Sequence, residues 1–134
     1  MKIFRRWEKF QGKPNDPRRR TPHVTINQKG TILMNRIAFE MAGAPSQVSL
    51  LFDKQHGVIG LQSARTSEPN TFPVRERSGH NNRVINANPF CRHYEINVGR
   101  TMAFNKLDVE DGILLLDLNT LTSAKRRTGT IDDV

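Results

Sequence analysis

The feature that most constrains this 134-residue chain is that it spells one supersecondary pattern twice. The first copy opens with "HVTINQKGTILM", a strand, a turn at Lys29-Gly30 and a second strand through Ile32 and Met34. A short helix follows: Asn35 is a favourable N-cap, Ile37 and Met41 share a face, Gly43 suits a left-handed C-terminus, and Pro45 forbids continuation. "QVSLLFD" and "GVIGLQS" then read as a hairpin across "KQHG", with Val48, Leu50 and Phe52 on one side. In the second copy "RVINA" is the strand, Asn88-Pro89 a cap with proline at the first helical position, and Phe90 and Tyr94 the apolar face. Asn97 stands for Gly43, and "TMAFNKL" and "GILLLDL" form the hairpin across "DVED". Equivalent residues lie 53 apart at Asn35 and Asn88, 54 at Gly43 and Asn97, and 55 at Gly57 and Gly112.

One such unit has too little apolar surface to bury a core alone. Two units clasped together bury both hairpins between them, and each small helix becomes the corner that carries the chain from one strand pair to the next. The expected fold is mainly β with two short helices, a pseudo-two-fold swapped-hairpin-like barrel behind a basic arm. Residues 1–22 are read as that arm and linker, 23–121 as one domain of two repeats (23–63 and 72–121), and 122–134 as a tail. In the arm Phe4, Trp7 and Phe10 recur at every third position among Lys2, Arg5, Arg6 and Lys9, before the linker "PNDPRRRTP". Residues 63–82 read mostly as linker, with one short strand at "TFPVRE".

Lysine and arginine total 21 against 13 acidic residues, a net charge of +8, which favours polyanionic partners. The lone Cys91 allows no intramolecular disulfide and suits a reducing compartment. No apolar run approaches the ~18 residues of a membrane helix, and "MKIFRRWEKF" lacks the apolar stretch of a secretory signal, so a cytoplasmic protein without membrane association is expected. Cys91, His93 and His80 have the wrong spacing for structural zinc, and no metal or other cofactor is expected. Neither a nucleophile elbow nor a phosphate loop is present, since Lys29-Gly30 lacks the remaining glycines, so the chain is expected not to be an enzyme.

The stretch "KGTILMNRIAFEMAGAPSQVSLLFDKQHGVIGLQS", residues 29–63, resembles the AbrB/MazE/SpoVT family of swapped-hairpin DNA-binding domains. "RVINANPFCRHYEINVGRTMAFNKLDVEDGILLLDL", residues 83–118, resembles it more weakly. In that family two chains interleave hairpins into one barrel and lay basic residues on DNA; tandem copies imply that one chain makes the whole barrel. The family usually has proline where the helix starts, which holds for Pro89 but not for Asn35. It also tends to carry basic residues after the turn glycine and in the helix, where this chain has Thr31 and Glu40 in the first unit.

The expected function is therefore binding of duplex DNA, in preference to single strands, by a small transcription regulator. Arg18, Arg19, Arg20, Lys29, Arg36, Arg83 and Arg92 are its contacts, drawn from a wider basic set that includes Arg75, Arg77 and Arg100. The alternative is a module that binds and modulates another protein, with non-specific nucleic-acid affinity. Clustering separates the two: Lys29, Arg83 and Arg92 on one face favour DNA, whereas an exposed apolar patch favours a protein partner. Either a monomer or a homodimer is compatible with the pattern.

Overall fold

The computed structural model describes residues 6–9, 21–77 and 81–124. Its elements are strands β1 (Val24–Ile26) and β2 (Thr31–Met34), helix α1 (Arg36–Met41), and strands β3 (Gln47–Asp53), β4 (Val58–Ser63), β5 (Phe72–Pro73), β6 (Arg75–Glu76) and β7 (Arg83–Asn86). Helix α2 (Asn88–His93) follows, then β8 (Met102–Phe104), β9 (Leu107–Glu110), β10 (Ile113–Asp117), a 3₁₀ turn at Leu118–Thr120, and β11 (Leu121–Ser123). The fold is mainly β with two short helices.

The strands form two antiparallel sheets rather than one closed barrel. The first has the order β11-β8-β1-β2-β7-β6, the second β5-β3-β4-β10-β9. The chain crosses between them twice within what the sequence reads as single strands. "TFPVRE" breaks at Val74, whose N–H donates to the Ser46 carbonyl at 2.9 Å, leaving β5 in one sheet and β6 in the other. "TMAFNKL" breaks at Asn105-Lys106, so β8 and β9 also belong to different sheets. The ladders end at those two points, and a continuous barrel does not close. Pairing also continues past residue 121, because β11 lies along β8 and the Ala124 N–H reaches Thr101 at 3.1 Å.

The repeat is visible in the registers. β2 pairs with β7 through Thr31↔Asn86, Ile32↔Ile85 and Leu33↔Val84. Moving each residue to its equivalent 53 positions away exchanges the outer two pairs and leaves Ile32↔Ile85 unchanged. β4 pairs with β10 about Gly60↔Leu115, two residues 55 apart, and the same exchange relates Val58↔Asp117 to Gln62↔Ile113. A pseudo-two-fold axis thus passes between β2 and β7 in the first sheet and between β4 and β10 in the second.

Alternation along the strands makes the core. Ile32, Met34 and Ile85 of the first sheet and Val48, Ile59, Leu61, Leu114 and Leu116 of the second are completely buried, with outward residues between them. Helix α1 contributes Ala38, while Phe90 and Cys91 of α2 join the same cluster. Phe52 of β3 meets the rings of Phe90 and Tyr94 at centroid separations of 6.1 and 4.9 Å, so α2 links the two sheets.

The helix ends differ from each other. Asn35 caps α1 as expected, accepting from the Ala38 N–H at 2.9 Å. Asn88 is not a cap: Ala87 holds that position without a side-chain bond, and Asn88 and Pro89 are the first helical residues. Asn88 Nδ2 instead donates to the Lys29 carbonyl at 2.9 Å, a bond to the neighbouring turn that outcompetes a local cap. Gly43 takes the left-handed conformation at φ +90°, but after α2 it is Glu95, not Asn97, that does so at φ +56°. Among the described residues no helix is long and apolar enough to cross a membrane.

Candidate nucleic-acid interface

Four of the expected contacts fall within the described residues, and they form two pairs at opposite ends of the β2–β7 ribbon. At one end Asn27 builds the turn, its Oδ1 accepting from the N–H groups of Lys29 and Thr31, both at 2.9 Å. Lys29 projects from it and is exposed. The turn is seated on the start of α2: beside the Lys29–Asn88 bond, a Cβ added at Gly30 would stand 2.9 Å from Asn88 Cα and 3.4 Å from Cys91 Sγ. Arg92 lies one helical turn beyond Asn88, exposed in the last turn of α2, where it also complements the helix dipole.

At the other end Arg83 pairs with Met34, the residue before the α1 cap. Its guanidinium lies 4.5 Å from the centroid of the Phe39 ring and donates to the Asn81 carbonyl at 3.0 Å. Stacking on a ring from α1 fixes its direction while leaving it part-exposed. Arg36, the first residue of α1, is exposed and bonded to Glu40 at 3.1 Å, an ion pair that surface water weakens. The 53-residue exchange carries Phe39 onto Arg92 and Gly30 onto Arg83, so the pseudo-two-fold swaps the positions of the two clusters though not their residue types.

Lys29 and Met34 are five residues apart, so at about 3.4 Å per residue the clusters are separated by about 17 Å. Thr31, Leu33, Val84 and Asn86 form the neutral outward face of the ribbon, whereas Arg83 starts on the same side as Met34 and Ile85 and reaches Phe39 at the ribbon's end. Arg75 and Arg77 are exposed beside it, Arg75 on the edge strand opposite Val84. These two belong with the site because β6 brings them to the ribbon from a stretch that reads mostly as linker. Arg18, Arg19 and Arg20 lie outside the described residues.

Charge is divided between the two sheets. Residues 21–46 and 72–104, which build the first sheet and both helices, hold seven lysines and arginines against three carboxylates. Residues 47–63 and 107–117, the second sheet without β5, hold five carboxylates against one lysine. The molecule is therefore basic at one end of its pseudo-two-fold axis and acidic at the other.

Among the described residues no three His, Cys, Asp or Glu side chains gather as a metal site. Cys91 is buried, and desolvation pushes its thiol above the usual range. His93 packs edge-on against Tyr94 at 4.6 Å, and His80 lies outside the described residues. Compared with protein families, with characterised proteins and with solved structures, the chain matches none.

Proposed function

We propose that the chain binds duplex DNA through the basic end of its first sheet, in a non-catalytic role such as that of a cytoplasmic regulator. The observation that carries this reading is the pairing of cations, Lys29 with Arg92 and Arg83 with Arg36, at two ends of one ribbon. A separation of about 17 Å straddles a groove about 12 Å wide and reaches phosphates on both banks. The outward face of the ribbon is uncharged and offers hydroxyl and amide groups at Thr31 and Asn86. Single strands lack two phosphate rows at fixed spacing, and the described face has no exposed Phe, Tyr or Trp ring for base stacking, so duplex is the favoured form.

The test is fluorescence anisotropy with labelled duplex and single-stranded DNA, comparing the full chain with Arg83→Ala and Arg92→Ala. Each variant is expected to weaken duplex binding uniformly across sequences and to lower the salt slope by about 1. Equal binding by all three proteins would remove the sheet from the interface. The protein-interaction reading draws on a different surface, a groove on the outward side of the second sheet lined by Leu51, Val58, Ile113 and Leu115.

A further inference from the structure

The strand registers place an acid-framed face on the outward side of the second sheet. Leu51, Gly60, Leu115 and Asp108 form one row across it. In the row on one side Asp53 and Asp117 flank Val58, and in the row on the other Glu110 pairs with Ile113. Four of these residues are carboxylates and none is a cation. A Cβ added at Gly60 would lie 2.9 Å from Ile113 Cγ2 and 3.4 Å from Leu51 Cβ, so those two side chains already fill the space above it. The centre is therefore a shallow apolar surface, with Leu51 39% exposed, and it fits another flat face rather than an inserted side chain.

The complement of that face lies at the opposite end of the same pseudo-two-fold axis. There the outward ribbon presents Leu33 and Val84 at its centre. Lys29 and Arg92 stand at one end of it and Arg83 and Arg36 at the other, about 17 Å apart. The carboxylates are spaced to match. The exchange that swaps Val58 with Ile113 sets their partners Asp53 and Glu110 across the axis from each other. From Asp53 to β9 is three strand spacings, about 14 Å, with two residues along the strands to Asp108 and four to Glu110; the distances are about 16 and 20 Å. Residues 23–121 hold ten lysines and arginines against nine carboxylates, so two copies of the domain meet with little net repulsion. We infer that the acidic face of the second sheet docks on the basic end of the first sheet in a second copy of the chain, head to tail along the pseudo-two-fold axis. Such a contact is heterologous and leaves one face of each kind unpaired, so it propagates into open stacks. A face of four short strands is small for an interface, and the assembly is accordingly weak and confined to low salt. Cations that hold a second copy cannot hold duplex at the same time, an exclusion that alone rests on the DNA reading proposed above.

The test is sedimentation velocity of the full chain over a concentration series, with two variants that each keep one face. Asp108→Asn/Glu110→Gln keeps the basic end, and Lys29→Ala/Arg36→Ala/Arg83→Ala/Arg92→Ala keeps the acidic face. Circular dichroism checks their folding, with Asp53→Asn/Asp117→Asn and Lys29→Ala/Arg92→Ala as the replacements if either fails to fold. The native chain is expected to sediment faster as concentration rises at about 50 mM salt, and as a monomer at about 500 mM. Each variant alone is expected to associate about tenfold more weakly than the native chain. An equimolar mixture of the two is expected to form a 1:1 dimer and nothing larger, because each supplies the face that the other lacks. A native chain that stays monomeric at low salt, or a mixture that does not pair, would overturn the assignment. So would undiminished association of the variant lacking the basic cluster, because the acidic face would then be held by the N-terminal segment. No DNA is present in these measurements, so stacking and duplex binding stand or fall separately.

Discussion

Gly30 joins the β1–β2 turn to α2, and replacing it by alanine separates conformational from contact costs. Its φ of +78° lies in the left-handed region, where an L side chain costs about 1–2 kcal/mol. Its Cβ would also stand 2.9 Å from the Cα of Asn88, a backbone atom that yields only if the start of α2 moves. Such overpacking costs typically about 1–3 kcal/mol. Gly43 is the matched control, with φ +90° and nothing within 4 Å of an added Cβ. Gly43→Ala is expected to lose about 1 kcal/mol and Gly30→Ala about 3 kcal/mol, after part of each penalty is offset by a stiffer unfolded chain. In urea denaturation the midpoint of Gly30→Ala should fall about three times as far at unchanged slope, with a melting temperature roughly 12 °C below the parent. Equal losses for the two variants would refute the seating of the turn on α2, and with it the placement of Lys29 beside Arg92.

Asn35 makes three bonds, accepting from Ala38 and His23 and donating to Thr21, whereas Asn88 makes one; chemical denaturation should show Asn35→Ala losing about 2–3 kcal/mol and Asn88→Ala under about 1 kcal/mol. Cys91 is 4% exposed with its thiol pushed up by burial, so a thiol reagent at pH 8 is expected to modify it only as fast as the domain opens, and rapid labelling of the folded chain would contradict that packing. The Asp53 carboxyl is held below its ordinary value of 3.8, chiefly by the His56 side-chain bond at 2.8 Å. A folded-state pKa depressed in this way adds stability above the unfolded value and loses it as pH falls through the folded one. Asp53→Asn should therefore lower stability across the neutral range and flatten the acid limb below pH 4, so that the two profiles converge at low pH, which thermal melts across pH would show.

The repeat was legible because its marks are backbone requirements. Gly30, Gly43, Gly57 and Gly112 all adopt positive φ, and the alternating apolar residues of β3, β4 and β10 face inward as their period demands. What the sequence did not disclose depends on partners distant along the chain. Asn88 looks like a helix cap, yet it bonds to Lys29, 59 residues away. The sheet crossings at Val74 and Asn105 follow from which neighbours compete for each strand, not from local propensity. For the site, arginines can be counted in a sequence but not placed. That Arg83 stacks on Phe39, and that Arg75 and Arg77 flank the ribbon, follows from the β6–β7 pairing. Leu51, Ile113 and Leu115 look like core in the sequence until their strands are registered, when their alternation turns them outward.

The central claim is that the basic clusters of the first sheet hold phosphates, and the salt dependence of duplex binding tests it most directly. Log affinity against log salt should be linear, with a slope of about −0.9 for each phosphate neutralised. Replacing Lys29, Arg36, Arg83 and Arg92 together by alanine in the full chain should reduce that slope by about 3–4 and weaken binding at every salt concentration. A slope left unchanged by the fourfold variant, with binding intact, would contradict the account and move the DNA contact off the sheet.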